Sequence, residues 1–152
     1  MNTAIDKIDS QIVRLLQKNG RLPNTEIAKS LGISESTIRT RLNRLISKGV
    51  VSITAIGNPA RLGFDVIGNF MITIDHKKTG SVIEELNKIH ELWYIIHTVG
   101  AADFFVEFSA RSLAHLDQLL SQIHSIKGVR QVNTSFLRKT IRASYDWWPE
   151  GE

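Results

Sequence analysis

The chain has 152 residues, 42% of them apolar and 22% charged, the balance of a folded protein of one or two small domains. It contains no cysteine, which excludes disulfides and thiolate metal sites, and its apolar runs are far shorter than the ~20 residues of a membrane span. The net charge of +4 is unevenly held: residues 1–60 carry nine Lys/Arg against four Asp/Glu, and residues 61–152 carry ten against eleven. A positive module joined to a near-neutral one is the pattern of a chain whose first part meets a polyanion.

The first periodic segment, DKIDSQIVRLLQKNG, spaces Ile5, Ile8, Ile12, Leu15 and Leu16 by threes and fours, one face of an amphipathic helix. Asp6 or Asp9 stands near its start, and Asn19-Gly20 supplies the stop. In NTEIAKSLG, Asn24 is an N-cap candidate, Ile27, Ala28 and Leu31 form the inward stripe, and Gly32 suits a left-handed terminus. Ser34 is positioned to cap a third helix that runs to about Lys48 and stops at Gly49. Three short helices with a glycine-bearing turn before the last are helix-turn-helix geometry.

The third helix, read at 100° per residue from Ile38, gathers Ile38, Leu42, Leu45 and Ile46 into an inward sector. Opposite lie Ser36, Thr40, Asn43 and Ser47, all short and uncharged, with Arg39 and Arg41 on the flanks and Arg44 beside the strip. A merely solvated face mixes Lys and Glu for pairing along the helix, whereas short hydrogen-bonding side chains let a helix approach base edges. Ser36, Thr37, Thr40 and Arg41 are therefore assigned to the DNA groove, with Arg39 and Arg44 next, and Lys29 and Lys48 to phosphates.

From Val50 the period changes: VVSITAI is β-rich and GNPARLG is a turn, so a β-linker or hinge is expected over residues 51–64. It separates a DNA-binding domain at 1–50 from a second domain at 65–142, followed by a tail at 143–152. In the second domain VIGNFMITID reads as a strand and SVIEELNKIHEL as a helix facing inward with Val82, Ile83, Leu86 and Ile89. WYIIHTV and DFFVEFSA read as strands, SLAHLDQLLSQIHSI as a helix with Leu113, Leu116, Leu120 and Ile123 inward, and VRQVNTSFLRKTI as a last strand. The fold class is thus α+β, a winged helix-turn-helix followed by a ferredoxin-like βαββαβ domain with both helices on one face of an antiparallel sheet.

Both faces of that sheet read apolar. Phe70, Ile72 and Ile74 oppose Ile67 and Met71; Trp93, Ile95 and Val99 oppose Tyr94 and Ile96; Phe104, Val106 and Phe108 oppose Phe105. An apolar second face calls for a cover, and a homodimer formed through the sheets is expected. The chain's own linker and tail are the other candidates for that cover.

The run IDKIDSQIVRLLQKNGRLPNTEIAKSLGISESTIRTRLNRLISKGVV followed by NPARLG resembles the Lrp/AsnC family, the feast/famine transcription regulators of bacteria and archaea. TVGAADFFVEF and the βαββαβ order extend the resemblance to about residue 142. It implies sheet-paired dimers that can assemble to octamers, and amino acids or related metabolites bound in clefts between dimers. A glycine-bearing turn at Thr98–Asp103 exposes N–H groups to a carboxylate, and Asp103 can accept from an ammonium, but the same residue types also build a plain hairpin turn. The resemblance assigns Gly100 and Asp103 to the effector, and Thr98, Ala101, Ala102, Thr134 and Ser135 with them. Many relatives carry an aromatic residue where this chain has Ala102, so the pocket is reshaped and neither leucine nor asparagine follows as the ligand.

Five histidines show no metal-ligand spacing, and neither a metal nor a cofactor is expected; His97, beside the effector turn, is the one placed to bind a ligand or to titrate. Two other readings follow from the same residues. One is an architectural DNA-binding protein with little effector control. The other is an enzyme like the siroheme decarboxylases, which are similar in fold, although WYIIHTVG carries His97 without a neighbouring arginine. Adjacent Trp147 and Trp148 are expected to pack on a neighbouring subunit, over the effector cleft or within their own subunit. No charged-then-apolar leader opens these residues, so a cytoplasmic protein is expected, and with no Ser/His/Asp or Cys/His constellation for nucleophilic catalysis the expectation is a regulator and not an enzyme.

Overall fold

A computed structural model describes residues 5–144, and Trp147 and Trp148 lie outside the described residues. The chain divides into two compact units, the described residues up to Ile56 (with 142–144) and Gly57–Ile141.

In the first unit, α1 spans Lys7–Lys18, α2 Asn24–Leu31 and α3 Glu35–Ser47. Asp6 caps α1 through a capping box in which Asp6 and Asp9 each accept from the other's backbone N–H, satisfying two donors that the helix leaves open. Gly32, at φ 66°, ends α2 in the left-handed conformation, and Ser34 caps α3 by accepting from the Thr37 N–H. Asn24 is not the cap expected of it: Pro23 holds that position with no side-chain cap bond, and its carbonyl accepts from Glu26 and Ile27. Ile12, Val13, Leu16, Ile27, Ala28, Ile38 and Leu45 form the core. The inward sector of α3 is narrower than expected, with Leu42 half-buried and Ile46 44% exposed, because two short neighbouring helices cover only a limited arc of a third.

Residues 51–58, β-rich by composition, join no ladder among the described residues, so no linker strand forms within the single chain. A 3-10 turn at Pro59–Leu62 follows, ended by Gly63 at φ 82°.

The second unit holds β1 (Val66–Ile74), α4 (Thr79–Leu86), β2 (Leu92–His97), β3 (Phe104–Ala110), α5 (Leu113–Ser125) and β4 (Val129–Phe136). The sheet order is β2-β3-β1-β4 with every pair antiparallel, the split arrangement that the element order implies. Phe70, Ile72, Ile74, Phe104, Val106 and Phe108 are all within 1% of full burial, meeting Val82, Leu86, Leu116, Leu119 and Ile123 of the helices. Phe70 stacks on Phe108 at 4.2 Å between ring centroids. Leu113, expected inward, is 64% exposed: it is the first residue of α5, and Leu119 takes the inward place between Leu116 and Ile123.

The far face of the sheet is less uniform than strict alternation implies. A register shift between Leu92 and Tyr94 turns Trp93 off the core face, and it is 54% exposed while Leu92 is buried in its stead. Val99 lies beyond β2 and is fully exposed. Ile67, Met71 and Phe105 are half-buried and Tyr94 and Ile96 exposed, so an apolar band does cross three strands. Pairing sets Gln131, Asn133 and Ser135 of β4 beside Thr73, Met71 and Asn69, which gives that band a polar margin.

One glycine is required by close approach. A Cβ on Gly68 would stand 2.2 Å from the Ser135 carbonyl oxygen and 2.9 Å from the Phe108 ring. Gly68→Ala is expected to destabilise the sheet unit by at least ~1–3 kcal/mol, the cost of overpacking a filled core, read from the midpoint of denaturant unfolding.

Candidate functional site

The candidate DNA-facing surface is built on α3. Ser34, at its start, bonds Ser36 Oγ at 2.9 Å and Thr37 Oγ1 at 2.8 Å, and Thr40 Oγ1 donates to the Ser36 carbonyl oxygen at 3.0 Å. These bonds tie down short side chains at the exposed N-terminal end of the helix, the end that meets base edges in helix-turn-helix proteins. Ser36, Thr37, Thr40, Asn43 and Ser47 are all exposed, and so are Lys29 and Lys48.

The arginines are not free cations. Arg39 pairs with Glu35 at 2.6 Å, one turn back along the helix. Arg41 Nη1 reaches Asp6 at 2.5 Å and Asp9 at 2.9 Å, and Arg44 Nη2 reaches the other Asp9 oxygen at 2.5 Å. Arg41 therefore leans against α1, its side chain only 24% exposed, where the angular reading set it at the groove. The Arg41 guanidinium, followed by the Asp9 N–H, holds the Asp6 carboxyl below the usual carboxylate range, and the same pairing raises Arg41. Arg41, Arg44, Ser36, Thr37, Thr40 and Asp6 line one shallow cleft of about 430 Å³.

Asp9, from residue types alone only a helix-start signal, joins the candidate surface from behind through these two arginines. Its side chain is 1% exposed. The signal was present: Ile5, Asp9, Ile12 and Leu16 fall on one helical face, and an acid on an apolar stripe needs a cation to pair with.

The candidate effector turn joins β2 to β3. The Thr98 N–H donates to the Asp103 carbonyl oxygen at 2.8 Å, and Thr98 Oγ1 donates to the Ala102 carbonyl oxygen at 2.6 Å. The Asp103 carboxylate accepts the Ile74 N–H at 2.8 Å, with His76 Nδ1 3.6 Å from its other oxygen. Gly100, at φ 145°, has open space around it, and Ala101 is exposed. Ala102 is buried, so its methyl group offers little surface to a ligand in the single chain. His97 stacks on Phe104 at 4.8 Å between centroids. Thr134 and Ser135 pair with Phe70 and Asn69, two strands from the turn and several residues along from Ile74, so one chain does not bring them to it. They also fall on opposite faces of β4.

Among the described residues no group of three His, Asp or Glu residues is placed to hold a metal, and no helix is long and apolar enough to cross a membrane.

The first unit is a DNA-binding module: residues 5–52 match the family model described as winged helix-turn-helix DNA-binding. Residues 69–147 match the Lrp/AsnC ligand binding domain, and the chain belongs to the Lrp/AsnC family of DNA-binding transcription regulators. An uncharacterised HTH-type transcriptional regulator of Pyrococcus abyssi is 35% identical over 93% of this chain and 90% of its own length. The regulator FL11 of the same organism is 35% identical over 92% and 93%. Escherichia coli AsnC superposes with a TM-score of 0.81 at 26% identity, covering 92% of this chain and 96% of that one. A Neisseria meningitidis transcriptional regulator solved as its L-Met complex superposes at 0.83 with 23% identity, over 95% and 96%.

Because Asp6 titrates lower in the folded chain than in the unfolded one, its contribution is complete above the ordinary carboxylate value and is lost as pH falls through the lowered one. Stability of the first unit is expected to fall as pH drops below ~4, the unperturbed aspartate value, and Asp6→Asn should flatten that fall in acid-unfolding curves. Ser34→Ala removes the cap of α3 and should cost ~1 kcal/mol by denaturant titration.

Proposed function

We propose that this chain is a sequence-specific DNA-binding regulator whose assembly or DNA affinity responds to an amino acid or a related small metabolite. It acts in the cytoplasm as a homo-oligomer, with no catalytic step. The observation that carries the DNA half is the exposed strip of short, hydrogen-bonded side chains on α3, anchored by the Ser34 cap. A helix of this profile sits in a major groove with its backbone near the base edges. Ser36, Thr37 and Thr40 lie at the groove, Arg39, Arg41 and Arg44 border it, and Lys29 and Lys48 meet phosphates. The domains run 1–50, 51–64, 65–142 and 143–152 in this reading.

The effector half rests on the match to a ligand-binding domain and on the turn at Thr98–Asp103, where Gly100 has open space on its side-chain side and the Asp103 carboxylate is held by the Ile74 N–H. Thr134 and Ser135 belong to the same pocket only when a second chain supplies them, which fits a cleft between subunits. The apolar band of Ile67, Met71, Tyr94, Ile96 and Phe105 gives the sheets a face to pair through, as dimers that can assemble to octamers. A ligand there shifts the population of assemblies and so the spacing of paired recognition helices.

Selection of duplexes from a random DNA pool by the full chain, with a thermal-shift panel of the twenty amino acids and their keto acids, tests both halves. One recovered motif and a ligand-dependent shift are expected. Sequence-insensitive binding with no shift would instead favour an architectural DNA-binding protein. Thr40→Glu places a carboxylate on the groove face at an exposed site, so it should abolish binding to the selected duplex while circular dichroism and melting temperature stay unchanged. Undiminished binding by that variant removes α3 from the groove.

A further inference from the structure

The three arginines of α3 are matched by three carboxylates. Glu35 takes Arg39, and Asp6 and Asp9 take Arg41 and Arg44, all between 2.5 and 2.9 Å. The helix therefore meets DNA with its own positive charge largely compensated. Free arginines on flexible stems bind any phosphate, an attraction that is independent of sequence. Reading a base edge demands a guanidinium held in one orientation, because the planar fork must align with two acceptors at once.

We propose that Asp9, together with Asp6, determines DNA specificity from α1, by neutralising and orienting Arg41 and Arg44 so that they discriminate among sequences instead of adding non-specific affinity. Asp9 is suited to this because it is buried and cannot follow the arginines outward. One carboxylate oxygen receives Arg41 and the other receives Arg44, so a single group fixes two side chains a turn apart. Among the described residues, Asp6 and Asp9 take Nη1 of Arg41 and Asp9 takes Nη2 of Arg44, so each five-donor guanidinium keeps further N–H groups for DNA. Both arginines border the cleft that Ser36, Thr37 and Thr40 also line. Asp9 touches no base in this scheme; it is a positioning residue.

The inference rests on α3 entering the groove, and the Thr40→Glu variant tests that separately. The measurement is the dissociation constant of the full chain for a duplex selected by the wild-type protein and for a shuffled duplex of the same composition, each across a salt series. Asp9→Asn keeps the shape and removes the charge. It should weaken the selected duplex ~10-fold, hold or tighten the shuffled one, and steepen the shuffled salt slope by about one. Asp6→Asn, at an exposed position where asparagine also caps a helix, should give the same signs at ~3-fold. In an Arg41→Gln/Arg44→Gln background, Asp9→Asn should change the ratio of the two constants no further.

A purely structural Asp9 would lower the melting temperature and leave that ratio unchanged in the folded protein, which overturns the proposal. So does a ratio that still falls in the arginine-free background, or a wild-type ratio near one. If Asp9→Asn does not fold, Asp6→Asn decides alone, and an unchanged ratio there is equally fatal.

Discussion

A carboxylate buried to 1% in a core of isoleucine and leucine cannot stand uncompensated, since an isolated ion in such surroundings costs several kcal/mol. Asp9 obtains its compensation from two arginines one turn apart on α3, and this ties the first helix of the DNA-binding unit to the third. The apolar contacts of Ile12, Leu16, Ile27, Ile38 and Leu45 hold the three helices together without direction, whereas the Asp9 pairs fix azimuth. A rotation of α3 that carried Arg41 or Arg44 off Asp9 would leave a buried charge unpaired. The face that α3 shows to solvent, with Ser36, Thr37 and Thr40 outward, is therefore set partly from behind.

The second unit solves a different problem with different means. Its sheet has a helix-covered side in which phenylalanines alternate with aliphatic residues, and Gly68 lets Phe108 and the β4 backbone close over β1. Asp103 closes that arrangement at one end of the two central strands. By accepting the Ile74 N–H at the end of β1, it satisfies a backbone donor and anchors the turn that carries Gly100. A carboxylate so used is held in one orientation by the backbone of the neighbouring strand. On the opposite face Glu107, between Asn69 of β1 and Tyr94 of β2, has its carboxyl pushed up by burial, so the apolar band carries one acid near its centre.

Much of this was legible along the chain. Among the described residues, periodicity located the five α-helices and the four strands, and cap chemistry placed Ser34 and Gly32 at their stations, because such signals act within a turn or two of the residue concerned. Misreadings arose where a neighbour remote in sequence decided. Trp93 left the core face through a bulge opposite β3, Leu113 fell at the exposed end of α5, and Ile46 stood outside the arc that α1 and α2 cover. Thr134 and Ser135 belong with the effector turn by resemblance, yet pairing with β1 holds them apart within one chain.

The order of elements, the apolar stripes and the short polar strip on α3 follow from the sequence alone, since each depends on backbone period and on the residue types within a few positions. The state of the arginines does not. From residues 32–45 they read as loose cations flanking a strip; only the tertiary structure, by bringing residues 6 and 9 against residues 41 and 44, makes them members of a nearly neutral ion-pair cluster. The reason is the range of the interaction. A helical period speaks for neighbours three or four positions away, but charge compensation is decided by whichever carboxylate lies within a few ångströms, and here most of that comes from about 35 residues upstream.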